Sequence, residues 1–547
     1  METLRPRASA PRPARGAARR RRPWRSVAAA LAGLLLSAVC VAPGAVHAAS
    51  APPVTWRPVV IPGGDGVPLR GSVAAPRGGG PHPLIVMTRS WIMSEAFFSR
   101  TQLAAASRGY VVVIYAPRGM GGSGGTMDMG GPKDVADVRS VVTWSLAHTP
   151  ADARHIGATG LSYGASVSLL GAAFDPRIRS VTALSSWTDM YDVFQDNGTP
   201  AETGYLAALY GGLHGASGAS SPVSGLFPWD ARRLAAWAGV RSPETYLDRY
   251  NAQGTAVFLA QAWGDKLTPV GRRGEFFDRL RGRKRLEMRP GGHGGAEFSS
   301  SVMPNEVIDS AMRWFDHTLK DRANGVAEEP PVLIRPVNSG PLFGVGHGFE
   351  GHPSWSAMTG PPRRLVLSGG GSLRDGPGAP ASRARLVAGP GTVLDGEHLP
   401  LQNTVEALLG ARVPRPLALV PRGAGAVWTG YPSAAVRQVR GTPRVHLTIT
   451  PSSSRGTVVT YLYDVDALGN GTLMSYAPYT FRGRAPGSPF TAGFRLHATA
   501  YDVPKGHRLA LVATTADSWF RSLNPPGSAL TLSSSPASPS WVEVPSR

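Results

Sequence analysis

Between Trp56 and about Pro330 the apolar residues fall into two alternating rhythms. HPLIVMT (His82–Thr88) and YVVVIYAPR (Tyr110–Arg118) are continuous apolar runs of strand length, whereas KDVADVRSVVTWSLAH (Lys133–His148) has helical spacing, with Val135, Val138, Val142 and Trp144 inward. Such alternation predicts an α/β domain over residues 55–330, built on a parallel sheet with helices on both faces. After the strand IRSVTALSSW the rhythm breaks from about Met190 to Gly254, where helical fragments and a GASGASSPVSG loop suggest an insertion over the sheet. Alternation resumes with TAVFLAQAW and KRLEMRP and ends in the helix NEVIDSAMRWFDHTLK. Beyond Pro330 short segments such as RRLVLS, RVHLTITPS, TVVTYLYDVDA and HRLALVATT alternate or run apolar between Gly, Pro and Ser, and NTVEALLGA is the one brief helical stretch. Residues 331–547 therefore read as an all-β sandwich or jelly roll.

The N-terminus follows neither rhythm. Its first 25 residues hold nine Arg and one Glu, followed by the apolar run VAAALAGLLLSAVCV and the small-residue stretch APGAVHAAS. This is the pattern of a secretory signal peptide over residues 1–48, and the apolar run is shorter than the roughly 20 residues that a spanning helix needs. A secreted or extracellular location follows. The one cysteine, Cys40, lies inside that run, so the mature chain has no thiol for a disulfide, a nucleophile or a zinc site. Of the formal charge of +21, the leader accounts for +8 and the mature chain for +13. The basic residues are scattered, and the densest cluster, RGRKRLEMR (Arg281–Arg289), runs into an expected strand, which disfavours nucleic acid as a partner. Attraction to an anionic cell envelope is the better use of such a charge.

The chemistry is a question about serines. With 67 Gly in 547 residues a G-x-S-x-G is expected about once by chance, and two occur. Ser123, in Gly121-x-Ser123-x-Gly125, sits in a glycine loop that continues to Pro132, so no sharp turn holds its hydroxyl. The overlapping dinucleotide fingerprint Gly119-x-Gly121-x-x-Gly124 fails for the same reason, because the helix start is too far along. Ser162, in Gly160-x-Ser162-x-Gly164, stands between the strand HIGATG and the helix ASVSLLGAAF with nothing intervening. That is the context of a nucleophile elbow, whose flanking glycines leave room where strand and helix crowd.

Such a serine needs a base and an orienting acid on loops after later strands. Asp265 follows TAVFLAQAWG, and the neighbouring Thr268–Pro269 pair offers itself as the helix cap in its place. His293 lies in RPGGHGGAEF, among four glycines. Asp189, after ALSSW, is the reserve acid. In the insertion Asp192, Asp196 and Glu202 are candidates for pairing with a substrate ammonium. The segment YDVDALGNG, with Asp464 and Asp466 two apart, has the look of a calcium loop, but an Asn-Gly hairpin explains it and the closing Glu is missing. This chemistry requires no cofactor and no metal.

The order GLSYGAS, WGD and GGHGG, preceded by APRGMGGSGGTMDMGGPKDVADVRSVVTWSLAHTP and followed by a β-rich region, resembles the family of X-prolyl dipeptidyl peptidases, cocaine esterase, glutaryl acylases and α-amino-acid ester hydrolases. The resemblance implies an α/β-hydrolase domain with a helical cap (about 190–254) and a C-terminal jelly roll of the galactose-binding type. It places Ser162, Asp265 and His293 on the triad positions. The family's oxyanion hole pairs the N–H after the nucleophile, here that of Tyr163, with a Tyr hydroxyl; this chain has TRSWIM there, which puts Trp91 in that place. The implied activity is hydrolysis of a small-molecule or short-peptide substrate, either an X-Pro amide or, alternatively, an ester or acyl amide. A reading of a different class is a non-catalytic envelope-binding module.

Overall fold

The computed structural model describes residues 54–91, 93–202, 231–295, 305–339, 348–376, 379–389, 392 and 412–547. The leader, the GASGASSPVSG loop and the NTVEALLGA segment lie outside the described residues.

The apolar runs form the middle of a ten-stranded sheet. In chain order its elements are β1 (Val54–Pro62), β2 (Pro68–Pro76), β3 (His82–Thr88), α1 (Glu95–Ser107), β4 (Val111–Tyr115), α2 (Pro132–His148), β5 (Ala151–Leu161), α3 (Tyr163–Phe174) and β6 (Ile178–Leu184). An insertion then carries α4 (Met190–Phe194), α5 (Ala231–Gly239) and α6 (Leu247–Gln253), followed by β7 (Ala256–Ala262), α7 (Arg273–Arg279), β8 (Lys284–Arg289), α8 (Glu306–Lys320), β9 (Val332–Ile334) and β10 (Glu350–His352). The spatial order is β1-β2-β4-β3-β5-β6-β7-β8-β9-β10. All pairs from β4 to β9 are parallel, and the antiparallel strands β1, β2 and β10 complete the two edges. The sheet is thus mixed rather than wholly parallel.

The continuous apolar character of the central strands has a direct cause. Leu84 and Val86 of β3 pack with α2 and α3 on one face, while Ile85 and Met87 pack with α1 and α8 on the other. Side chains alternate along a strand, so a strand covered on both faces must be apolar at every position. α2 buries Val135, Val138 and Val142 as its spacing predicts, with Val141 beside them, and Trp144 is only half-buried.

β9 and β10 lie beyond Pro330, so the first sheet reaches past the expected boundary and a second sheet opens only at Pro362. That second sheet contains twelve strands and forms the β-rich C-terminal part. The YDVDALGNG segment is the turn between its strands Gly456–Val465 and Asn470–Phe481. Asp466 caps that turn by accepting from Leu468 N and Asn470 N, each at 2.9 Å, and Asp464 accepts from the Tyr501 hydroxyl at 2.9 Å, so both carboxylates have structural roles. Buried Arg440, on a separate two-stranded ribbon (Arg437–Gly441 with Thr499–Val503), pairs with Glu350 of β10 at 2.5 Å and with Asp502 of its own ribbon at 2.6 Å, tying the C-terminal part to the first sheet.

Two residues of the basic cluster turn inward, while Arg281 and Arg283 stay exposed. Arg285 and Arg289 of β8 are buried, pair with Glu287 at 2.8 and 2.5 Å, and pair further with Glu329 and Glu306. At the opposite side of the sheet Arg118, in the turn after β4, grips Asp137 of α2 through Nε (2.8 Å) and Nη2 (2.6 Å) and reaches Asp65 in the β1–β2 turn at 2.9 Å. Arg118 and Asp137 are both almost completely buried, so each would be stranded without the other. Arg118→Met should lower unfolding stability by about 3–5 kcal/mol in urea titrations, while Arg118→Met/Asp137→Leu should lose less than either single variant. A double variant as unstable as the sum of the two would show that the pair is not coupled.

Candidate active site

Ser162 is the residue between β5 and α3, and its backbone stands at φ 58°, ψ −117°. A non-glycine residue rarely occupies that region, and the surroundings enforce it. A Cβ on Gly164 would meet Thr88 O at 2.0 Å, and one on Gly160 would meet Gly164 C at 2.3 Å. The first turn of α3 therefore lies directly on the end of β3, and only glycine fits at either position. Ser162 N donates to Leu184 O at 2.8 Å, and Ser162 O accepts the first helical bond from Ser166 N at 3.1 Å. With its backbone fixed in this way, the side chain projects from the C-terminal edge of the sheet.

Two loops at the same edge meet it. Trp263 N donates to Arg289 O and Gly264 N to Gly291 O, each at 2.9 Å, so the loops after β7 and β8 stay paired beyond their strands. Gly291 (φ 107°) and Gly294 (φ 67°) turn the second loop back on itself around His293. His293 Nε2 lies 2.8 Å from Ser162 Oγ, and His293 Nδ1 lies 2.8 Å from Asp265 Oδ2. A carboxylate only accepts, so Nδ1 carries the proton and Nε2 is left as the acceptor for the serine hydroxyl.

Asp265 has no exposed side-chain surface and is held by five donors. Its Oδ2 accepts from His293, from Gln261 Nε2 at 2.5 Å and from Thr268 Oγ1 at 2.7 Å; its Oδ1 accepts from Leu267 N at 3.0 Å and Thr268 N at 2.8 Å. Thr268 thus braces the carboxylate and caps no helix. The following helix, α7, starts at Arg273, which corrects the expected Thr268–Pro269 cap. Gln261, the penultimate residue of β7, was not legible as a partner because its role depends on where β7 ends.

The other sequence candidates separate clearly. Asp189 caps α4 through Tyr191 N (2.9 Å) and pairs with Arg272 (2.8 Å), so it is not the partner of His293. Ser123 Oγ donates to Ala116 O at 2.8 Å and accepts from Arg70 N at 2.9 Å, bracing the glycine loop. Asp196 pairs with His497 at 2.7 Å and Glu202 with Arg521 at 3.3 Å, tying the insertion to loops of the C-terminal part. Asp192 has no hydrogen bond to a described residue and lines a cavity of about 160 Å³ with Arg272, Thr442, Arg495 and His497. Dehydration, then the charges of Asp189 and Asp196, pushes its carboxyl up to about 8 against the pull of Arg272.

Tyr163, the residue after Ser162, is buried, and its phenol donates to Asp134 Oδ2 at 2.6 Å. The Trp91 ring lies 5.4 Å from the Tyr163 ring and the Trp187 ring 5.9 Å from it. The Asp134 contact has only a faint trace in sequence, a carboxylate on the apolar stripe of α2.

The chain is similar to known proteins over most of its length. The model of the X-Pro dipeptidyl-peptidase (S15 family) matches residues 65–295, and that of the X-Pro dipeptidyl-peptidase C-terminal non-catalytic domain matches residues 324–540. A Streptomyces avermitilis protein with the provisional name Xaa-Pro dipeptidyl-peptidase is 23% identical over 508 residues, covering 78% of this chain and 69% of its own. Among solved structures, an aminopeptidase from a marine sediment Thaumarchaeota archaeon aligns with TM-score 0.70 at 16% identity over 93% of this chain and 99% of its own. An α-amino acid ester hydrolase aligns with TM-score 0.68 at 18% identity, covering 94% and 100%. A CocE/NonD family hydrolase from Staphylococcus aureus aligns with TM-score 0.70 at 14% identity, covering 90% and 93%. These structural likenesses establish the α/β-hydrolase fold with its β-rich companion. With its catalytic and C-terminal parts both matched, the chain is a serine hydrolase that belongs to the X-Pro dipeptidyl-peptidase (S15) family.

Proposed function

We propose that the protein is an exported hydrolase that cleaves X-Pro amides from peptides with a free N-terminus, through an acyl-enzyme formed on Ser162. The observation that carries the reading is the unbroken hydrogen-bond line from Ser162 Oγ through His293 to Asp265. His293 Nε2 takes the hydroxyl proton as Oγ attacks the carbonyl carbon, and Asp265 stabilises the imidazolium that forms. The Tyr163 N–H stabilises the developing oxyanion, with Trp91 beside it as the second candidate donor. His293 then passes its proton to the leaving amine. Water, activated by the same imidazole, releases the acyl group and restores the serine. Export rests on the leader at residues 1–48, and the net positive charge of the mature chain favours association with an anionic envelope.

Ser162→Ala should lower kcat by about four orders of magnitude or more with unchanged thermal unfolding, and a fluorophosphonate should label Ser162 in the wild type. Ser123→Ala should leave both labelling and rate unchanged. Labelling confined to Ser123, or none at all, would remove the assignment and favour the non-catalytic reading.

The peptidase reading rests on Asp192 at its cavity. A carboxyl pushed up to about 8 is neutral below that pH and charged above it, and only the charged form attracts an ammonium. KM for Ala-Pro amides with a free amine should therefore fall as pH rises from about 6 toward about 8, then climb as the substrate amine, with an ordinary pKa of about 7.7–8.0, loses its proton. N-acetylated substrates should show neither change, and at pH 7.5 should react at least about 100-fold more slowly, equivalent to about 2.7 kcal/mol. Asp192→Asn should abolish the difference. Equal rates for free and acetylated amides, or hydrolysis of aryl esters alone, would leave the ester or acyl-amide hydrolase as the function.

A further inference from the structure

Buried in the core of the α/β domain, the Asp134 carboxyl has no ion-pair partner among the described residues. Its Oδ2 accepts from the Tyr163 phenol at 2.6 Å and from Gly130 N at 2.8 Å, while its Oδ1 has no hydrogen-bond partner among the described residues. The nearby Arg241 guanidinium makes its ion pair with Asp128, at 3.1 Å, and not with Asp134. Asp137, one turn along the same helix, is occupied by Arg118. Burial, together with the charges of Asp128 and Asp137, pushes Asp134 up to about 7 against the pull of the phenol.

Packing alone does not call for such a group. The Tyr163 ring already packs on the indoles of Trp91 and Trp187, and Trp187 is itself fixed by Nε1 donating to Arg241 O at 2.9 Å and by its backbone N donating to Ser166 Oγ at 3.0 Å. A Phe opposite an aliphatic residue would fill the same space without dehydrating a carboxyl. What the phenol–carboxyl contact adds is a direction. It ties the first residue of α3, next to Ser162, to the first turn of α2 and to the end of the glycine loop.

We propose that Asp134 is a positioning residue that, through the Tyr163 phenol, aims the Tyr163 N–H at the oxyanion formed on attack by Ser162. This rests on the reading of Ser162 as the nucleophile. Donors of this kind act only when their direction is set before the reaction, and a misplacement of about 1 Å costs on the order of 100-fold in rate.

The test uses the full-length mature chain with an aryl ester, comparing Tyr163→Phe, Asp134→Val, the double variant and Asp134→Asn. Tyr163→Phe and Asp134→Val should each lower kcat by about 10- to 100-fold with KM within about threefold of wild type, and the double variant should be no slower than the slower single. Affinity for a trifluoromethyl ketone, which presents an oxyanion, should fall in proportion to kcat/KM. Asp134→Asn keeps an acceptor for the phenol and should restore most of kcat. If Asp134→Val does not fold, Tyr163→Phe and the ketone decide the matter. Wild-type rates in Tyr163→Phe, additive losses, or an unchanged ketone affinity, with Ser162 still labelled by a fluorophosphonate, would overturn the positioning role. Failure of wild-type Ser162 to label would overturn the nucleophile reading beneath it.

Discussion

The contact on which the site depends is the approach of the first turn of α3 to the end of β3, where Gly164 faces Thr88 O with no room for a Cβ. That crowding, with the same restriction at Gly160, holds Ser162 at a positive φ and points its side chain out of the sheet edge. In a parallel sheet every strand ends at the same edge, so the loops after β7 and β8 arrive there too. A residue placed early in each of those loops meets the serine without any long-range adjustment. The hydrogen bonds from Ser162 through His293 to Asp265 are the result of this geometry.

The two buried carboxyls around the serine contrast in how they are satisfied. Asp265 is surrounded by five donors from its own loop, from β7 and from His293, so both oxygens are engaged and the imidazole is held in one orientation. Asp134 directs both of its partners to one oxygen and leaves the other without one. The first arrangement is rigid by saturation. The second is dehydrated and directional, as suits a group whose task is to aim a neighbour.

The C-terminal β-rich part does more than enlarge the molecule. It supplies His497 to Asp196 and Arg521 to Glu202, holding the insertion after β6 from the far side. It also contributes Thr442, Arg495 and His497 to the cavity beside Asp192. The carboxylates that looked equivalent along the insertion are therefore distinguished by a domain more than two hundred residues later in the chain. Two of them are used as braces, and Asp192 remains.

Local sequence determined what local physics controls. Apolar runs without alternation identified strands covered on both faces, and glycines on either side of Ser162, set between strand and helix with no intervening residues, distinguished it from Ser123. Asp265 and His293 were legible because each follows a strand of the same sheet. Only the tertiary structure decided that Thr268 braces Asp265 instead of capping a helix, that Arg285 and Arg289 are internal ion-pair partners, that β9 and β10 extend the first sheet, and that Tyr163 reaches Asp134. These all depend on which side chains meet across elements distant in sequence. A carboxylate or guanidinium carries no mark along the chain of whether its partner will be water or another buried charge, since that is fixed only when packing removes the water.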